Sequence, residues 1–274
     1  FQEVGAKMTA AFTAPAIAVA TASTKIGMDF EAAMSKVQAL SGATGDELAA
    51  LEQQARDLGK ATVFSASEAA EGMAFLAMAG YDTNQIMSAM PGLLDLAAAG
   101  QLELGAAADI TTNIMSGFNL EAEKTGQVAD VLAKAAASAN TSVEQMGDAM
   151  SYVGPVAAGA GWSLEETAAA IGVLSNAGIQ GQRAGTALRG VIAALQNPTG
   201  QTAKALKALG LSADDVNPSV HSLSDILKTL EEAGLDSATA MQLVGRESGP
   251  ALIAMMNAGS EGLSQFTTEL ENSE

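Results

Sequence analysis

Five times along the chain a glycine is followed by a large apolar residue and then by Asp, Asn or Ser: Gly80-Tyr81-Asp82, Gly117-Phe118-Asn119, Gly161-Trp162-Ser163, Gly210-Leu211-Ser212 and Gly234-Leu235-Asp236. Glycine just past a helix end takes up the left-handed backbone that closes it. The short polar side chain accepts from the free N–H groups of the next helix, and the apolar residue between them turns back into the core. Each cassette therefore predicts two helices meeting at a tight corner. Glu or Gln three residues after the polar residue completes a capping box at Asp82 with Gln85 and at Ser163 with Glu166. The same box is expected to open helices at Thr44 with Glu47, Ser65 with Glu68 and Thr141 with Glu144. Tyr81 and Ile86 have the spacing of a hydrophobic staple.

Read between these marks, the chain predicts an N-terminal helix reaching Leu40. Helices then follow over 46–58, 66–79, 83–99, 105–116, 120–138, 142–153, 164–177, 182–196, 201–209, 223–233, 237–245 and 250–270. Pro91 and Pro250 fit first-turn positions, Pro198 and Pro218 fit loops, and Pro155 should end or kink its helix. Ala, Leu, Met, Gln and Glu favour helix, and period-two runs of β-branched and aromatic residues are missing, so the fold class is all-α. The expected architecture is a compact array of short capped helices and helical hairpins. The N-terminal helix (1–40) stands apart from a multi-helix core (41–274). Stretches 65–100 and 141–178 share one order of capped helix, Ala-Gly-aromatic corner and second capped helix, as an old duplication of a hairpin would leave them.

Thirteen basic against 31 acidic residues give a net charge of −18, which repels a phosphate backbone and excludes tight nucleic-acid binding. No Lys or Arg occurs between Lys60 and Lys124, where eight carboxylates read as a solvated face. The chain has no cysteine, and so no disulfide, thiolate nucleophile or Cys-ligated zinc. The uncharged run Met8 to Thr24 is shorter than the ~20 apolar residues of a spanning helix and contains Pro15. It reads as a buried or self-associating helix ahead of a membrane-active one. The start at Phe1 without Met and the abrupt end at Glu274 are read as cuts from something longer.

Catalytic chemistry finds little support. The one histidine, His221, lies in Asn217-Pro218-Ser219-Val220-His221-Ser222 and suits a loop; it cannot build a multi-histidine metal site, and no Gly-x-Ser-x-Gly elbow is present. Adjacent carboxylates (Glu165 and Glu166, Asp214 and Asp215, Glu231 and Glu232) diverge by about 100° on a helix and are expected to be solvated. The stretch Gly178-Ile179-Gln180-Gly181-Gln182-Arg183-Ala184-Gly185-Thr186 lacks the Lys-Ser/Thr pair of a phosphate loop. It reads as a tight turn in which Arg183 and Arg189 neutralise carboxylates or helix carbonyls at a packing site. The thirteen methionines and the cassette aromatics Tyr81, Phe118 and Trp162 read as core filling. No catalytic, metal or cofactor-binding residue is expected.

One run of motifs is more specific. Asp29-Phe30-Glu31-Ala32-Ala33-Met34-Ser35-Lys36-Val37 is followed by Ala55-Arg56-Asp57-Leu58-Gly59-Lys60-Ala61-Thr62 and then Phe64-Ser65-Ala66-Ser67-Glu68-Ala69-Ala70-Glu71-Gly72-Met73. Ala79-Gly80-Tyr81, Ala129-Asp130-Val131-Leu132-Ala133 and Gly161-Trp162-Ser163-Leu164-Glu165-Glu166-Thr167 come next. The run ends with Gly178-Ile179-Gln180-Gly181 and Ala184-Gly185-Thr186-Ala187-Leu188-Arg189. In this order, over roughly residues 25–258, the chain resembles the core region of phage tail tape measure proteins. The resemblance implies a structural, non-enzymatic protein in the lumen of a phage tail or tail-like particle, made in the host cytoplasm. Such a protein sets tail length while tube subunits polymerise around it, and later assists DNA delivery. The implied partners are tail tube and tail tip proteins, tail assembly chaperones and further copies of itself, with transient host membrane contact. It carries over no catalytic residue. The alternative is a membrane-perforating module that helps genome entry. Because a helix rises only about 1.5 Å per residue and glycine interrupts this chain so often, the segment is expected to anchor a longer tape and not to be its rod.

Overall fold

The computed structural model of the chain describes residues 14–273. Among the described residues there are thirteen α-helices and no strand. In chain order they are α1 (Ala14–Ser41), α2 (Asp46–Ala61), α3 (Ala66–Met78), α4 (Thr83–Gly100), α5 (Leu104–Gly117), α6 (Thr125–Ser138) and α7 (Val143–Gly159). There follow α8 (Leu164–Asn176), α9 (Gln182–Gln196), α10 (Gln201–Ala208), α11 (Leu223–Glu232), α12 (Ser237–Ala258) and α13 (Ser260–Glu271). Single 3-10 turns lie at Ala122–Lys124 and Asp214–Val216. The fold is all-α, as expected. Of the Met8–Thr24 run, residues 8–13 lie outside the described residues, and from Ala14 the backbone is helical.

The chain forms two compact units that divide inside α4, between Met90 and Pro91. The division expected near Leu40 does not coincide with this boundary, because α1 packs on α3 and belongs to the first unit. In that unit α1 presents Phe30, Ala33, Met34 and Val37, one stripe at helical spacing, and all four are buried. The unit's core is completed by Leu51 and Ala55 of α2, by Ala69, Ala70, Met73, Ala74 and Leu76 of α3, and by Ile86, Ala89 and Met90 of α4. Two cations lie over aromatic rings across its seams: Arg56 of α2 is 4.2 Å from the Phe30 ring centre, and Lys36 of α1 is 5.4 Å from that of Phe75 on α3.

The second unit has one continuous core running from Leu96 to Leu270, with Met146, Met150, Val153, Trp162, Ile171, Leu174, Leu188, Val191 and Ile192 among its members. Within it α9 packs on α7 and α12, α5 on α7, α8 on α13, and α10 on α12. Helices come very close here because small residues line the seams. A Cβ on Gly185 of α9 would land on the Ala149 carbonyl oxygen of α7, so this crossing tolerates only glycine.

Four of the five cassettes close as their sequence suggests. In each, the apolar residue donates its N–H five residues back: Tyr81 to Leu76, Trp162 to Ala157, Leu211 to Leu206 and Leu235 to Leu230, at 2.9–3.2 Å. The glycine before it is left-handed, as at Gly161 with φ 85°. The cassette at Gly117 differs. Gly117 is still helical, and the left-handed residue is Asn119 (φ 52°), with Leu120 donating to Met115 at 2.8 Å. Asparagine tolerates this conformation, so the helix runs two residues further than a glycine stop predicts. Gly117 instead lets α5 approach Pro155 of α7. The cassette at Gly210 leads not to an α-helix but to the Asp214–Val216 turn, with the Ser212 N–H donating to Asp215 Oδ2 at 2.8 Å.

Full capping boxes form at Ser65 with Glu68, at Asp82 with Gln85 and at Ser142 with Gln145. The box expected at Thr141 with Glu144 is thus one residue later. At Thr44 none forms, because Gly45 is the N-cap of α2 and offers no side chain. The paired hairpins keep their shared order, α3–α4 with corner Gly80 and α7–α8 with corner Gly161.

The prolines depart from expectation. Pro91 and Pro155 lie inside α4 and α7 on their exposed faces, and neither ends its helix. Pro91 deprives the Met87 carbonyl of its helical partner, and Gln54 Nε2 of α2 donates to that oxygen at 2.7 Å in its place. The break in α12 falls at Gly245 (φ 82°, ψ 171°), which separates limbs 237–244 and 246–258 and leaves Pro250 one residue past the first turn of the second limb.

Candidate functional site

The residues that carry most of the sequence signal, Gly178 to Arg189, lie at the corner between α8 and α9. Gly178 (φ 82°) closes α8 with Ile179 donating to Leu174, and Gly181 (φ 56°) is the N-cap of α9. This corner is latched to the one between α6 and α7. The Asn140 N–H donates to Asn176 Oδ1 at 2.8 Å, and Gln180 Nε2 donates to the Asn140 carbonyl. Two hairpin ends are thereby held edge to edge, and Gly185 one turn into α9 seats the helix on α7.

Arg183 and Arg189 do not play the part expected of them. Both are exposed, and among the described residues neither forms an ion pair; the one pair there joins Lys60 to Asp57 on the surface of α2. On a helix whose other face is Ala184, Ala187, Leu188 and Val191, the arginines are left pointing at solvent. Arg183 borders an open groove of about 520 Å³ whose walls include Tyr152, Ile179, Ala187, Glu247 and Pro250.

Carboxylates do the joining instead, and the adjacent pair Glu165 and Glu166 is not solvated. Glu165 is buried and accepts from Gln127 Nε2 of α6 at 2.6 Å. Ser163 caps α8 by accepting from the Glu166 N–H at 3.0 Å, but the Glu166 carboxylate does not return the bond. Its Oε1 accepts from the Leu223 N–H at 2.5 Å, capping α11 from another helix. Burial pushes the Glu166 carboxyl above its usual value and the like charges of Asp225 and Glu271 push the same way, while the Leu223 bond partly offsets them. Glu231 of α11 likewise holds the start of α13, accepting from the N–H and hydroxyl of Ser260 at 3.0 and 3.1 Å. No local pattern announces these bonds, since each partner lies 29 to 57 residues away along the chain.

The cassette aromatics serve packing. Trp162 is 4% exposed, and Tyr81 and Phe118 are half-buried, with the Phe118 ring against Gly154 of α7. His221 occupies the loop before α11, where Nε2–H donates to the Asp214 carbonyl at 3.0 Å. Among the described residues no group of three or more His, Asp and Glu is placed to hold a metal ion, and no helix is long and apolar enough to cross a membrane. The geometry offers corners, latches and surfaces for contact.

Comparison with known proteins agrees with that character. The family model for phage-related minor tail proteins matches residues 52–247. The tape measure protein of Pneumococcus phage Dp-1 is 43% identical over 277 residues, covering 99% of this chain and 24% of that protein. The probable tape measure protein of Escherichia phage P2 is 34% identical over 246 residues, covering 86% of this chain and 30% of that protein. The chain thus spans less than a third of either relative. No solved structure matches it.

Proposed function

Since the chain belongs to the phage-related minor tail protein family, we propose that it is a structural part of a tail tape measure, and that it acts by contact and not by catalysis. The observation that carries this reading is the 43% identity to a tape measure protein along almost the whole chain. In this reading the segment is an anchoring module of a longer tape inside the tail lumen. It meets tail tip and tube proteins, assembly chaperones and further copies of itself while the tube polymerises, and leaves the tail ahead of the DNA. Its corners and latches suit it to keep its shape under load, which an anchor requires and a measuring rod does not.

In-frame removal of the codons for residues 14–273 from the tape gene, followed by electron microscopy of the particles, tests the anchor reading. Loss of tails, or tails with no defined length, is expected. Intact tails shortened only in proportion to the residues removed would make the segment part of the rod, and full-length tails would remove it from the machinery. The net charge of −18 fits a surface past which DNA slides without adhering. The purified chain is expected to show no DNA retention at moderate salt, and binding that weakens steeply as salt rises would contradict this.

A further inference from the structure

The attachment of α1 is unlike the polar latching of the second unit. Among the described residues no side-chain hydrogen bond or ion pair joins α1 to α2 or α3; those of Ser35 and Ser41 stay within the helix or its end. What holds α1 is the stripe Phe30, Ala33, Met34 and Val37 together with the two cation–ring contacts. Lys25, Gly27, Met28 and Asp29 ahead of the stripe are exposed, Met28 at 64%. Open grooves flank the helix on both sides, of about 800 Å³ towards α3 and about 300 Å³ towards α2. The link to α2 is Gly42-Ala43-Thr44-Gly45, with left-handed glycines at both ends (φ 72° and 57°) and open space where a Cβ would stand.

We propose that α1 is an exchangeable arm, and that its seat on α2 and α3 receives α1 of a second copy of this chain as well as its own. The inference deepens the self-association named above and rests on that reading only for what brings copies together. The occupant follows from the seat itself. A surface complementary to Phe30, Ala33, Met34 and Val37 accepts the same stripe from another molecule contact for contact, with no directional bond to be matched. Exchange neither gains nor loses those contacts, so the tether decides. A short link gives the arm's own seat an effective concentration on the order of millimolar. Dilute copies therefore keep their own arm, and copies crowded side by side in an assembly trade them. The four-residue link spans at most about 14 Å, so a trading partner must be an immediate neighbour.

The cysteine-free chain makes the test clean. Ser35→Cys on α1 is prepared in one sample and Glu52→Cys on α2 in another, two positions that border the same groove. The samples are mixed, unfolded and refolded together, dilute and at about millimolar concentration, then treated with a short thiol-to-thiol linker. A cross-linked dimer containing one of each variant is expected in the concentrated sample and not in the dilute one. Cross-linking confined to a doubly substituted single chain, with no mixed dimer in either sample, would overturn the proposal. A second variant reads the tether: deletion of Ala43 and Thr44 stops α1 from folding back, and sedimentation should show a dimer, whereas a monomer would count against exchange. Either failure leaves the tail-assembly reading intact, since that is tested in the particle.

Discussion

The two units solve the same problem, holding short helices together, by different means. In the first, helices meet through an apolar stripe and two cations over rings, and a long-range side-chain bond, from Gln54 to Met87, serves a carbonyl that Pro91 leaves bare. In the second, seven side-chain bonds among the described residues reach between distant segments: Gln127 to Glu165, Asn140 with Asn176, Gln180 to Asn140, Gln196 to Ser219, Leu223 to Glu166 and two from Ser260 to Glu231. Apolar contacts are forgiving of partner and register, whereas a hydrogen bond to one carbonyl or one N–H is not. The first unit is therefore built to be separable along its seams and the second to keep one arrangement.

The largest test of that contrast lies in the second unit's core. Trp162→Ala removes its only tryptophan and is expected to cost about 3–5 kcal/mol, read as a lower urea midpoint by circular dichroism. Trp162→Phe should cost much less, because the indole N–H it discards is buried without a partner among the described residues. A loss as large for Phe as for Ala would mean that the N–H is bound. Next comes Gly185→Ala, whose Cβ meets a backbone oxygen that cannot swing aside; a loss of about 1–3 kcal/mol is expected. An unchanged midpoint there would show that α7 and α9 are not held as closely as the contrast requires. In the first unit, Arg56→Ala should cost only about 0.5–1 kcal/mol. The same substitution should leave the yield of mixed dimers unchanged, because a chain's own arm and an exchanged arm lose the same contact.

The smallest effect separates the units by pH. Glu68 in the first unit sits below its ordinary 4.5, held by the Ser65 N–H and hydroxyl, while burial raises Glu166 in the second above the same value. For Glu68 the stabilisation is present above 4.5 and is lost as pH falls through its lowered value. For Glu166 the sign reverses: the ionised form is penalised at neutral pH, and the penalty lifts as pH falls through the raised value towards 4.5. Glu166→Gln keeps an acceptor for Leu223 and should be slightly more stable than the parent at pH 7, with the gap closing in acid. A gap that widens in acid would reverse the assignment. Glu68→Gln should show the opposite, a deficit at pH 7 that disappears in acid.

Helix positions were readable in the chain because their causes are local: a glycine that alone accepts φ > 0 and a hydroxyl or carboxylate within reach of the next free N–H. Errors arose where two neighbours could do the same job, as with Asn119 in place of Gly117 and Ser142 in place of Thr141. Choosing between them depends on which side chain the rest of the fold leaves free. Glu165 and Glu166 were illegible for a stronger reason. Their partners are contributed by α6 and α11, and whether a carboxylate on a helix faces water or a distant N–H is decided only when those helices arrive. The prolines failed similarly, since Pro91 is tolerated in mid-helix where its exposed face and Gln54 satisfy the carbonyl it strands.

The borrowed caps also fix an order in time. Glu166 precedes the helix it starts at Leu223, and Glu231 precedes the one it starts at Ser260. In each case the acceptor lies nearer the N-terminus than the donor. A chain leaving the ribosome thus has every such acceptor in place before the segment that needs it has been made. Each new helix starts against a waiting carboxylate, so the second unit can close in the direction of its own synthesis without reopening what has already folded.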